Sequence, residues 1–139
     1  MSLWIGVASR DHVLRAVEGG FAQVAHGKRA PLQRMASGDW IAYYSPRMQL
    51  GGVEPCRAFT ALGRVTDDRV YRVDQGEGFR PWRRDVDYLT ARAAPLEALS
   101  GTLSFLSDAR SRGLVFRRGL FRVGEDDFRA IAAAMGATI

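Results

Sequence analysis

Apolar residues along this chain recur mostly in short runs and two-residue alternations, punctuated by Gly, Pro and Asp, and sustained helical spacing is confined to a few segments. Leu3-Trp4-Ile5-Gly6-Val7-Ala8 predicts a buried opening strand. Ser9 is placed to cap a following helix whose Val13, Leu14 and Val17 form an inward stripe, and Gly19-Gly20 stops it. A short strand is expected over Phe21–Val24, a single helical turn over Pro31–Met35, and a strong strand over Trp40–Tyr44 after the Ser37-Gly38-Asp39 turn. Gly51, Gly52 and Pro55 make residues 48–57 loop-like. Ala58–Val65 and Val70–Val73, separated by Asp67-Asp68, read as a hairpin. Trp82–Leu89 alternates as a strand, Leu96–Leu106 suits short helical pieces, and Leu114–Phe116 and Leu120–Val123 are apolar segments. Glu125-Asp126-Asp127 then opens a last helix, with acids at its positive end and Phe128, Ile131, Ala132 and Met135 at helical spacing before Gly136.

Five or six mostly antiparallel strands with peripheral helices make an α+β class, built on a curled sheet or small barrel. With 139 residues, of which 47% are hydrophobic, a core closes without metal or disulfide, and residues 1–139 read as a single domain. Cys56 is the only cysteine, which excludes an internal disulfide and a multi-cysteine zinc site. No basic start with a long apolar run and no 18-residue apolar window occurs, so a cytoplasmic protein without membrane association is expected. The net charge of +5 comes almost entirely from arginine, since Lys28 is the only lysine. Arginine pairs with phosphate and stacks on bases, so the excess fits attraction to nucleic acid; an arginine-rich solvated surface fits it equally.

The richest stretch chemically is Phe21–Pro46, which gathers His26, Lys28, Trp40, Tyr43 and Tyr44 and ends the strand on Ser45-Pro46. Aromatic faces beside fixed hydrogen-bond donors suit a flat polar group such as a nucleobase. Catalytic patterns are missing. Gly27-Lys28-Arg29 lacks the hydroxyl residue and distal glycine of a phosphate loop, Cys56 follows a proline with no assigned base, and no zinc-deaminase signature occurs. A binding protein without cofactor is expected. Strand alternation puts Tyr43 and Tyr44 on opposite faces, and Tyr44, next to the strand end, is the one assigned to a pocket. Trp40 is assigned to the core, and His12 to the surface or a cap.

The order Trp-Ile-Gly-Val, Ser-Arg-x-His-Val, Glu-Gly-Gly-Phe, His-Gly-Lys, Pro-Leu-x-x-Met, Gly-Asp-Trp, Tyr-Tyr-Ser-Pro, Phe-Arg-Pro-Trp-Arg-Arg-Asp-Val-Asp-Tyr and Phe-Arg-Arg-Gly-Leu-Phe closely resembles the EVE domain family. That family lies within the PUA-like superfamily, which also holds the YTH readers of methylated adenine. The resemblance runs from Trp4 to about Met135. It implies a PUA-like pseudo-barrel and a reader of modified bases, chiefly modified cytosine in DNA, with RNA also possible. The implied partner is nucleic acid, DNA ahead of RNA, and the protein is expected to be a monomer.

Turning a base out of its stack costs a few kcal/mol, and stacking on an aromatic face returns roughly 1–3 kcal/mol. Trp4, Tyr44 and Trp82 are accordingly the expected cage. Ser9, His26 and Ser45, with Pro46 beside them, are the expected edge readers, and Lys28, Arg29, Arg83, Arg84, Arg117 and Arg118 the expected phosphate contacts. Each has a competing structural reading: tryptophan is common in buried strands, His26 suits a loop hydrogen bond, and Asp85 and Asp87 can neutralise Arg83-Arg84 across the sheet. A free nucleotide or another small heterocycle is the competing ligand class; its affinity should barely respond to salt, whereas that for an oligonucleotide should fall steeply.

Overall fold

The computed structural model describes residues 1–107 and 113–139. Seven strands form one mixed sheet: β1 (Leu3–Val7), β2 (Phe21–Ala22), β3 (Trp40–Arg47), β4 (Pro55–Arg72), β5 (Trp82–Tyr88), β6 (Ala94–Pro95) and β7 (Leu120–Val123). The order is β2-β5-β4-β3-β1-β7, with β6 paired to β4. Only β1 and β3 run parallel; the other pairings are antiparallel. Helix α1 (Arg10–Gly19) makes the crossover that this parallel pair requires. A short α2 (Arg29–Gln33) and the final α3 (Glu125–Ala134) complete the frame. The α+β class is that read from the sequence. The short strand expected over Phe21–Val24 is β2, confined to Phe21–Ala22, and the two-residue β6 was not anticipated because it carries too little sequence to show a period.

Alternation divides the core in two. Ile5, Ala42, Tyr44, Phe59 and Leu62 face Leu99, Leu103, Leu106 and the Phe128, Ile131, Ala132 and Met135 stripe of α3. Trp4, Ile41, Tyr43, Ala61 and Val65 face Val13 of α1, Val24, and Leu32 and Met35 around α2. Helix α1 turns a narrower face inward than its sequence suggests. Val13 and Ala16 are buried, whereas Leu14 and Val17 are 49% and 38% exposed. Three-residue spacing from Val13 puts Ala16 on the inward face, with its immediate neighbour Leu14 off it and Val17 at its edge.

The expected hairpin at Asp67-Asp68 is a bend inside one continuous 18-residue strand. Strand β4 advances from Val65 to Val70 while β5 moves only from Val86 to Arg84, so the surplus residues of β4 bulge outward. Arg84 fills the bulge. It is 1% exposed and donates to the carbonyls of Leu32, Met35 and Asp67, with Asp68 Oδ1 at 3.3 Å. Polar turn residues thus serve here as acceptors for a buried guanidinium, which local pattern reading cannot distinguish from a chain reversal.

The sheet is not closed by strand pairing. The segment after β2 spans the gap instead: a β-carbon on Gly119, just before β7, would lie 3.3 Å from Ala25 Cβ, and one on Gly27 would lie 2.5 Å from Pro81 Cβ, just before β5. Gly27, at φ +81°, therefore needs both the missing side chain and the left-handed backbone. Ala25 and His26 also have positive φ, 48° and 60°. For residues with a side chain this conformation is strained, and contacts on both sides hold it.

Candidate nucleic-acid interface

The parallel pairing of β1 and β3 brings the exits of both strands to one end of the sheet, where Val7 faces Tyr44. Backbone bonds lock the surrounding loops to this end. Val7 N–H donates to Gly119 O at 2.9 Å, Ala8 N–H to Tyr44 O at 3.1 Å, and Asp11 N–H to Met48 O at 3.0 Å. The start of α1, the Arg117-Arg118-Gly119 segment, the strained Ala25–Gly27 turn and the β3–β4 connection are consequently neighbours.

Exposed around the strained turn are His26, Lys28 and Arg29 on the turn and its exit, Arg117 and Arg118 on the segment beside it, and the apolar Phe79, 41% exposed, whose ring would lie 3.3 Å from a β-carbon on Gly27. Trp82 follows Pro81, against which Gly27 packs. Its half-buried indole carries the Arg29 guanidinium 4.7 Å and that of Arg72 5.6 Å from the ring centroid. Of the sequence-assigned residues, the structure therefore brings His26, Lys28, Arg29, Trp82, Arg117 and Arg118 around one backbone feature.

Behind the turn lies a buried polar hub that sequence reading missed. Gln23 is 4% exposed. Its carbonyl accepts from the Tyr43 hydroxyl at 3.0 Å and meets His12 Nε2 at 3.2 Å; its N–H is 3.1 Å from the Tyr43 oxygen. Its side-chain oxygen accepts from Arg83 Nε at 2.9 Å. Burial lowers the pKa of His12, with the Gln23 carbonyl opposing, and raises that of Tyr43 far above its ordinary value. Both groups are thus held neutral at physiological pH. Arg83 lies 3.8 Å from the Phe21 ring centroid and also donates to Gln75 Oε1, so its planar group supports the hub. Gln23 and His12 gave no sequence signal, because their partners are backbone atoms and residues 11 to 60 positions away.

The other expected cage members are core residues. Trp4 is 5% exposed and its indole donates to Asp39 Oδ2 at 3.0 Å. Asp39 also accepts the N–H of Ser2 and of Ala36, both at 2.8 Å. Burial would raise the Asp39 pKa, but these donors outweigh it and hold the carboxyl below its usual value. Tyr44 is 4% exposed, stacked on Phe116 at 3.9 Å and edge-on to Phe59 at 5.4 Å. It lies in the core opposite to that of Trp4 and Trp82, so those three rings cannot enclose one base. The expected separation of Tyr43 and Tyr44 onto opposite faces holds, yet both faces are covered.

Two edge readers are likewise occupied. The fully buried Ser45 hydroxyl shares a 2.7 Å hydrogen bond with Thr60 Oγ1, and Pro46 beside it is half-buried. The Ser9 hydroxyl donates to Asp11 Oδ1 at 2.5 Å rather than capping a backbone N–H of α1. Asp11 is lowered in pKa chiefly by that bond. Arg84 is the clearest correction among the phosphate contacts, because its buried guanidinium is committed to main-chain carbonyls. Among the described residues, no three His, Cys, Asp or Glu side chains gather as metal ligands would. No helix among the described residues is long and apolar enough to cross a membrane.

Comparison with known proteins matches the EVE domain over residues 2–134. A UPF0310 protein encoded in the gntR 5' region of Bacillus licheniformis is 49% identical over 127 residues, which cover 91% of this chain and 86% of that one. Among solved structures, Rpa0253 from Rhodopseudomonas palustris shares 14% identity at a TM-score of 0.60, covering 98% of this chain and 94% of the other. Human THYN1, solved in complex with DNA containing 5-methylcytosine, aligns over 100% of both chains with 14% identity and a TM-score of 0.53.

Proposed function

The chain belongs to the EVE domain family, and from that premise we propose that it binds nucleic acid without catalysis and reads a modified base, a cytosine derivative in DNA. The observation that carries this reading is the strained turn at Ala25–Gly27, wedged between Gly119 and Pro81 with His26, Lys28, Arg29, Trp82, Arg117 and Arg118 around it. Exposed cations supply attraction to phosphate that is independent of sequence. Trp82 supplies the stacking face once Arg29 leaves the ring for a phosphate, and His26 reads the edge of the base. The fold shared with THYN1, itself solved with 5-methylcytosine DNA, supports cytosine as the base class.

In this reading the Gln23 hub presets the turn. Its neutral partners, His12 and Tyr43, fix the backbone, and the Arg83 guanidinium holds the Gln23 side chain. A preset turn reduces the ordering cost of binding.

Titrating isotope-labelled protein with a 5-methylcytosine oligonucleotide tests the placement by amide chemical shifts. Shifts centred on residues 25–29, 79–82 and 117–119 are expected. Saturable shifts centred elsewhere would overturn it.

A further inference from the structure

The β3–β4 connection carries two of the most exposed large apolar side chains in the described structure, Leu50 at 77% and Val53 at 86%. Nothing in either core requires them there. The connection is nevertheless ordered by its own bonds. Met48 N–H donates to Glu54 O at 3.0 Å, Gly52 N–H to Gln49 O at 3.0 Å, and the Arg47 guanidinium to Val53 O at 3.0 Å. Its base is tied to the start of α1 by the bond from Asp11 N–H to Met48 O. Gly51, at φ +74° with open space around its α-carbon, lets the tip reverse.

Charges flank the tip on both strands, with exposed Arg47 and Arg57 outweighing Glu54. Arg57 has a positive φ of 49° where the β3–β4 register shifts. The tip shares the strand-exit end of the sheet with the proposed base-reading turn, because β1 contacts both through Val7–Gly119 and Ala8–Tyr44.

Aliphatic side chains projected by a stiff hairpin between cations have the chemistry of a wedge that enters a base stack. Building on the base-reading proposal, we propose that Leu50 and Val53 insert into duplex DNA beside the extruded nucleotide and fill the space it vacates. Arg47 and Arg57 hold the phosphates on either side. The partner is thus a double helix, and the tip acts at the step where the base leaves its stack; a single strand, with no vacancy to fill, does not need it.

The test uses the full chain and a Leu50→Ser, Val53→Ser double variant, which alters only exposed side chains. Each is titrated with a 5-methylcytosine duplex carrying 2-aminopurine next to the modified base, and with the corresponding single strand. The wedge predicts that the parent raises 2-aminopurine fluorescence in the duplex, and that the variant loses this rise and binds the duplex about tenfold more weakly or worse. Single-strand affinity should be unchanged. Equal duplex affinity with the same fluorescence rise would overturn the wedge while leaving the base-reading proposal standing, and so would equal losses on duplex and single strand. If the parent binds neither oligonucleotide, the base-reading proposal itself fails and the wedge with it.

Discussion

Replacing Arg84 by methionine should destabilise the protein by about 1–3 kcal/mol, because the guanidinium is a structural tie with almost no access to solvent. Methionine keeps most of the side-chain bulk and removes every donor. The carbonyls of Leu32 and Met35 then lose a buried charged partner; Leu32 O keeps the Met35 N–H at 3.3 Å, whereas Met35 O is stranded at a cost of about 1–3 kcal/mol. Asp67 O also loses two bonds, but Asp67 is exposed and water can replace them in part. The ion pair with Asp68 adds little, since that carboxylate is 82% exposed. The stranded Met35 carbonyl therefore sets the magnitude. Urea denaturation of parent and Arg84→Met checks it, with nucleic-acid affinity measured on the folded variant. A loss below about 1 kcal/mol would show that the bulge does not depend on Arg84, because even one stranded buried carbonyl exceeds that. Intact stability together with a large loss of affinity would restore Arg84 as a phosphate contact.

Lys28→Ala and Arg118→Ala should leave urea midpoints unchanged, weaken oligonucleotide binding across sequences, and each lower the slope of log affinity against log salt by about 1. Trp82→Ala should cost about 1–3 kcal/mol of binding free energy by titration, with no loss of the folded circular-dichroism spectrum. Gly27→Ala should destabilise the turn, since its β-carbon would fall 2.5 Å from Pro81 Cβ on a left-handed backbone; faster amide exchange over residues 23–28 is the readout. Asp39 has a folded pKa below its unfolded value, so its contribution is fully present above the unfolded value and is lost as pH falls through the folded pKa. Asp39→Asn should remove that part of the acid dependence in denaturation curves measured from neutral to acid pH.

Legibility from sequence followed the range of the interactions. Strands β1 and β3 were readable as local apolar runs and helix α3 from its helical spacing, whereas β7 was read only as an apolar segment. The EVE assignment was also readable, because its motifs run in order along nearly the whole chain. Local pattern failed where one distant partner decides the outcome. Asp67-Asp68 has the composition of a turn but bends a continuous strand around Arg84, which lies 16 or more positions away. Arg83 and Arg84 are adjacent and chemically identical, yet one supports Gln23 and the other is buried in the bulge. Trp4 and Tyr44 carry the chemistry of cage walls, but sheet parity put them on opposite faces and Asp39 and Phe116 covered them. His26 and Lys28 were legible as a polar loop. The strain at Ala25 and His26 was not, because it is imposed by Gly119 and Pro81 from remote segments.

Equilibrium binding to matched oligonucleotides, with and without one modified cytosine, as DNA and as RNA and at two salt concentrations, tests the central claim most directly. The account predicts preference for the modified DNA that persists at the higher salt while overall affinity falls steeply. Binding that ignores the modification and vanishes with salt would leave only a basic surface and contradict the reading of a base.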